Sequence, residues 1–137
     1  MKHIDHKTIL VVDDEFDIVS VLEKRLTSEE YEVITARNGN DAIAFAKLYH
    51  PDLVVLDVGL VDMHGGEVLL KIRESAHLKE TPSIIISALY SKSDQIEKKR
   101  IFGADALFAK PYDIEEVLET ISVLLRRSEI SAGVVKN

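Results

Sequence analysis

The chain of 137 residues has no cysteine, only three prolines and six glycines, and few aromatic residues. Without cysteine, a disulfide scaffold, a thiolate zinc site and a cysteine nucleophile are all excluded. No apolar run approaches the roughly 18 residues that a membrane span requires. The first residues, Met1 to Lys7, are polar and lack the apolar stretch of a secretory signal, so a cytoplasmic location is expected. Basic residues are the minority: 17 Lys and Arg against 24 Asp and Glu leave a net charge of −7. That balance argues against direct nucleic-acid binding. No repeat, low-complexity tract or linker divides the sequence. What is present, 46% hydrophobic and 30% charged residues, suits one soluble globular domain.

Four short apolar runs stand out: Ile9–Val12, Leu53–Leu56, Ile84–Ile86 and, more weakly, Leu107–Ala109. They are continuous rather than alternating, as strands buried on both faces of a parallel sheet are. Tyr31–Ala36 is more mixed and suits a sheet edge. Helical spacing fills the gaps. Ile18, Leu22 and Leu26 form one stripe; Ala42, Phe45, Ala46 and Tyr49 form a second. Leu69 and Ile72 suggest a third helix after Gly65 and Gly66. Ser91–Phe102 offers a thin stripe for a fourth. Ile114, Val117, Leu118, Ile121, Leu124 and Leu125 define the last helix, opened by Asp113 and Glu116 at capping-box spacing and closed by Arg126 and Arg127. Strand and helix in alternation predict an α/β domain with helices on both faces of a parallel sheet. Its expected extent is Thr8 to Arg127. Residues 1–7 read as a tail, and 128–137 as a tail or the start of a linker.

The C-terminal ends of parallel strands share one edge, where ligands bind. After Val12 come Asp13, Asp14 and Glu15; after Leu56 comes Asp57; after Ile86 comes Ser87; after Ala109 come Lys110 and Pro111. Carboxylates, a hydroxyl and an ammonium thus converge. Two carboxylates about 4 Å apart repel by roughly 4 kcal/mol at an effective dielectric near 20. Three clustered aspartates therefore need a shared proton or nearby positive charge. Lys110 supplies one such charge and a divalent cation the rest. An oxygen-only donor set selects a hard ion, and Mg2+ fits best. Asp57, alone on a central strand, can be a ligand and also the nucleophile that receives phosphorus.

The series Val11, Val12, Asp13, Asp14, Glu15; then Leu56, Asp57, Val58, Gly59, Leu60 with Gly65; then Ser87 and Ala88; then Gly103, Ala104, Asp105 running to Lys110 and Pro111, resembles a bacterial response-regulator receiver domain. The resemblance spans about Thr8 to Arg127. It implies a flavodoxin-like doubly wound fold, a five-stranded parallel sheet in the order 2-1-3-4-5 with five helices. It makes Asp57 the phosphoacceptor for a histidine kinase or histidine phosphotransfer protein. Asp13, Asp14, Asp57 and the Gly59 carbonyl become the Mg2+ ligands, and Lys110 and Ser87 the partners of the phosphoryl oxygens. Ala88 leaves that group room to reach the site. The implied domain is a regulatory switch that dephosphorylates itself slowly and turns over no small molecule. It acts as a monomer or weak dimer, away from membranes, on a downstream protein or an output domain missing from this chain. The family's output face combines the fourth helix, fifth strand and fifth helix, where Lys98, Lys99 and Arg100 read as a solvated helix surface or a docking patch.

The sequence also departs from the family. The usual proline four residues after the phosphoacceptor is Val61, and the aromatic switch position before the lysine is Leu107. Leu107 is thus the candidate for output coupling, with Phe108 assigned to the core. Asp105, Ala106 and Thr120 weaken the pattern of the winged-helix subclass. His64 reads as an exposed loop histidine near the site, and His3 and His6 as residues of a frayed terminus. An aspartate-nucleophile phosphohydrolase of the haloacid dehalogenase type is the first rival, but its nucleophile follows the first strand and it needs a cap. A phosphorylation-incompetent scaffold is the second. A nucleotide- or flavin-binding module would need a Gly-rich or hydroxyl-rich first turn rather than three acids.

Overall fold

The computed structural model describes residues 6–60, 62–87 and 103–131. Five strands, β1 (Thr8–Val12), β2 (Glu32–Ala36), β3 (Leu53–Asp57), β4 (Ser83–Ser87) and β5 (Ala106–Ala109), form one parallel sheet in the order β2-β1-β3-β4-β5. The central strands β3 and β4 are buried at every position, whereas the outer strands β2 and β5 are mostly half-buried. Burial therefore follows the apolar density of each run. The registers bring the C-terminal ends together: Val12 lies beside Leu56, Asp57 beside Ile86, and Ser87 beside Ala109.

Alternate strand residues feed two cores. Leu10, Val12, Val54, Leu56 and Ile85 face α2 (Gly39–Tyr49) and α3 (Gly65–Ile72). Ile9, Val11, Leu53, Val55, Ile84 and Ile86 face α1 (Phe16–Ser28) and the C-terminal helix (Ile114–Ser131). Each fully buried Leu or Ile stabilises the fold by roughly 1.5–3 kcal/mol relative to exposure. The order reverses direction at β1 and β3, so the loops after these strands open a crevice at the sheet's C-terminal edge.

Several local expectations need correction. In α1 the buried stripe is Val19, Leu22 and Leu26, with Ile18 only half-buried, because spacings of three and four both lie on one helical face. In α2 Gly39, Ala42 and Ala46 are buried and Phe45 packs partly buried against the same core; Phe45 and Tyr49 meet edge to face at 6.1 Å, and Tyr49 is exposed. A short 3-10 helix at Ala76–Leu78 was not anticipated. The C-terminal helix runs on past Arg127 to Ser131, since no Gly or Pro interrupts it there, and Lys7 pairs with Glu129 at 3.2 Å. Asp113 caps this helix through the Glu115 N–H at 2.9 Å, one residue earlier than a full capping box would. Four α-helices are present among the described residues; the one expected over Ser91–Phe102 lies outside them. No described helix is long and apolar enough to cross a membrane.

Candidate functional site

The site is assembled from the ends of the strands. The Asp13 N–H donates to the Ala36 carbonyl at 3.1 Å, continuing the β1–β2 ladder one residue beyond the strand. This fixes the Asp13 side chain over the edge of the sheet. Asp57 and Ser87 are themselves the last residues of β3 and β4, and the Lys110 N–H donates to the Ser87 carbonyl at 3.0 Å. Four strands thus deliver their terminal polar residues to one place, as the sequence predicted. The Lys110–Pro111 peptide bond is cis.

Asp13, Asp14 and Asp57 each present a carboxylate oxygen within 4.8 Å of the others. Asp13 is 4% exposed and Asp57 7%, while Asp14 is half-buried at the rim. The Lys110 ammonium reaches Asp13 Oδ2 at 2.9 Å, Glu15 Oε1 at 2.8 Å and Asp57 Oδ2 at 3.7 Å. The last distance is an ion pair but too long for a hydrogen bond. Asp13 Oδ1 accepts from the Glu15 N–H at 2.9 Å, and Asp57 Oδ1 from the Gly59 N–H at 3.4 Å. Burial raises the Asp57 carboxyl above its ordinary proton affinity, and the Asp13 charge adds to this; Lys110 and the Gly59 N–H offset part of it. Burial pulls Lys110 down, but its hydrogen bonds to Glu15 and Asp13 and the charge on Asp57 outweigh that, so its ammonium is firmly charged.

The donor set fits a hard divalent ion. Three carboxylates with one buried ammonium between them leave excess negative charge, and no softer donor accompanies them among the described residues. Gly59 sits in the loop just beyond Asp57, held by an antiparallel bridge to His64 and by the Gly65 N–H donating to the Val58 carbonyl at 2.8 Å. His64 is an exposed loop residue, as expected, and it also caps α3, its Nδ1 accepting from the Gly66 N–H at 3.0 Å. Leu107 packs against the α2–α3 core and Phe108 against the opposite one, in keeping with the core assignment of Phe108. Ala88, Val61 and the Lys98, Lys99, Arg100 group lie outside the described residues.

Sequence reasoning missed three participants. Glu15 shares the Lys110 ammonium across 95 positions of the chain, a pairing that no local pattern announces. Asp62 accepts from the N–H groups of Gly39 and Asn40 at 2.7 and 3.0 Å, tying the loop after Asp57 to the start of α2. Tyr112, following Lys110 and Pro111, is half-buried, and its hydroxyl is raised by burial and then by the Asp13 charge. A separate cleft of about 650 Å³, lined by His50, Asp52, His77, Glu80, Asp105 and Arg127 among others, contains none of the site residues. It adjoins the N-terminal ends of β3, β4 and β5, the opposite edge of the sheet.

Comparison with known proteins agrees with this geometry. Residues 9–122 match the model of the response regulator receiver domain. The chain is 41% identical over 121 residues to the response regulator ArlR of Staphylococcus aureus, covering 87% of this chain and 52% of ArlR. It is 40% identical over 126 residues to a Cyanophora paradoxa protein named "Probable transcriptional regulator ycf27", covering 92% of this chain and 51% of that one. The chain therefore spans about half the length of these relatives. A CheY-like response regulator receiver domain protein from Methanospirillum hungatei superposes with a TM-score of 0.84 at 28% identity, covering 93% of this chain and 99% of that one. The receiver fold, the aspartate cluster and the matched family agree, and the chain belongs to the response regulator receiver domain family, a regulatory rather than a catalytic class of domain.

Proposed function

We propose that this domain is a phosphorylation-dependent switch in which Asp57 accepts a phosphoryl group from a phosphohistidine on a histidine kinase or histidine phosphotransfer protein. The observation that carries the reading is a buried, proton-avid carboxylate at a strand end, flanked by two further aspartates and a charged lysine. In its ionised form Asp57 attacks phosphorus in line; the phosphorus–nitrogen bond breaks, and the imidazole nitrogen keeps the electron pair. Asp13, Asp14, Asp57 and the Gly59 carbonyl would hold Mg2+, which supplies charge neutralisation for the phosphoryl oxygens. Lys110 lies 3.7 Å from Asp57 Oδ2, near enough for a short movement to bring its ammonium onto a phosphoryl oxygen. Ser87, buried at the end of β4, is the hydroxyl assigned to a second oxygen. Drawing it inward would shift the residues that follow β4 and change a face distant from the site. Leu107, one strand away and beside Ile85, is the residue through which β5 would sense that change.

Because the chain spans half of its curated relatives, the output is read as lying beyond it, in a partner protein or a further domain. The test is to incubate the protein with acetyl phosphate and Mg2+ and measure intact mass. One phosphoryl adduct is expected, absent in Asp57→Asn and under EDTA. No adduct, together with no binding of beryllofluoride, would overturn the reading in favour of a phosphorylation-incompetent scaffold.

A further inference from the structure

Lys110 has three N–H donors, and two are engaged at hydrogen-bond distance: Asp13 Oδ2 at 2.9 Å and Glu15 Oε1 at 2.8 Å. The carboxylate of the phosphoacceptor, at 3.7 Å, comes third. The two closer partners differ in one respect. The Asp13 side chain is 6% exposed and fixed by the β1–β2 ladder, whereas the Glu15 side chain is 58% exposed; Lys110 itself is 10% exposed. Asp13 cannot leave the ammonium without stranding a buried charge, but Glu15 can exchange the ammonium for water at little cost. The Glu15 backbone is meanwhile anchored: its N–H donates to Asp13 Oδ1 at 2.9 Å, and it adopts the extended conformation of an N-cap ahead of α1. Glu15 therefore stays within reach of the site while its carboxylate is free to swing.

We infer that Glu15 is a positioning residue that restrains Lys110 in the unphosphorylated state and is displaced when a phosphoryl group claims the ammonium. This rests on the phosphoacceptor reading above. Two consequences have opposite sign. The Glu15 charge adds to the negative field that attracts a divalent cation, so it favours Mg2+. The same charge repels an incoming phosphoryl group and competes with it for Lys110, so it disfavours the phosphorylated state. Glu15 sets the ratio between the two ligands rather than the strength of both.

Glu15→Gln keeps the size and hydrogen-bonding capacity while removing the charge. Titration calorimetry on the full chain would measure Mg2+ alone, then beryllofluoride at saturating Mg2+. Relative to wild type, the variant is expected to bind Mg2+ more weakly and beryllofluoride more tightly, each by roughly twofold to fivefold, the range of a half-exposed ion pair. After removal of acetyl phosphate, the phosphoryl adduct should also persist longer. A merely structural role for Glu15 would weaken both ligands together. Shifts of the same sign, or no shift in either, would overturn the inference while leaving Asp57 as the acceptor. If the wild-type chain itself bound no beryllofluoride and took no phosphoryl group, the underlying reading would fall, and this one with it.

Discussion

Asp57 combines burial with negative neighbours, and its raised proton affinity has a consequence for stability. The folded carboxyl holds its proton more tightly than the unfolded one, so its stabilising contribution is fully present below the unfolded pKa of about 3.9 and is lost as pH rises through the raised folded value. At neutral pH the ionised group weighs against folding. Asp57→Asn is therefore expected to stabilise the metal-free protein at pH 7, with the advantage shrinking as pH is lowered through that window. Urea titrations of both proteins at stepped pH would measure it, and a constant offset at every pH would contradict it. The sequence showed which residues meet here because a parallel sheet gathers the residues that end its strands. It did not show the Lys110–Glu15 pair, since contacts between side chains from different loops depend on rotamers and loop paths that no spacing encodes.

Between β3 and α3, two elements meet with almost no room. A Cβ at Gly65 would lie 2.6 Å from the Asp57 carbonyl oxygen and 2.7 Å from Val58 Cα, both backbone atoms that cannot turn aside. Gly65→Ala must push the end of β3 or the start of α3 outward. The expected cost is about 1–3 kcal/mol in stability, as for other overpacked sites. Because the displaced atoms carry Asp57, phosphoryl acceptance from acetyl phosphate should fall as well, read by intact mass at a urea-free temperature where the variant remains folded. Unchanged acceptance would show that the site tolerates movement of its own strand. Gly65 and Gly66 were legible as a helix start, but why glycine is required depends on the approach of a neighbouring strand end, a tertiary fact. The same division holds elsewhere. The strands were legible because branched apolar runs buried on both faces have no other economical place to go. The phase of α1 was not, because Ile18 and Val19 are adjacent and both apolar, and only the tertiary packing of the helix leaves Val19 buried and Ile18 half-buried.

At the scale of the molecule, the buried residues among those described fall into two cores, one on each side of the sheet. Ile72 of α3 belongs to one, Ile121 of the C-terminal helix to the other, and each is essentially inaccessible to solvent. Strand side chains alternate between the two sides, and among the described residues Ile72 and Ile121 pack in different clusters. Removing one methylene from each should therefore act independently. Ile72→Val and Ile121→Val are each expected to cost about 1 kcal/mol, and the double variant their sum to within roughly 0.5 kcal/mol. Equilibrium urea unfolding would give all three values. A larger discrepancy would mean that the sheet transmits strain from one helical layer to the other. The site lies on the edge of that sheet, with Asp13 following β1 and Asp57 ending β3. Independence of the layers would leave the strand ends and their loops, rather than strain passed through the sheet, as the route by which a charge change at Asp57 reaches a distant face. Coupling between them would instead give the sheet itself a part in carrying the signal outward.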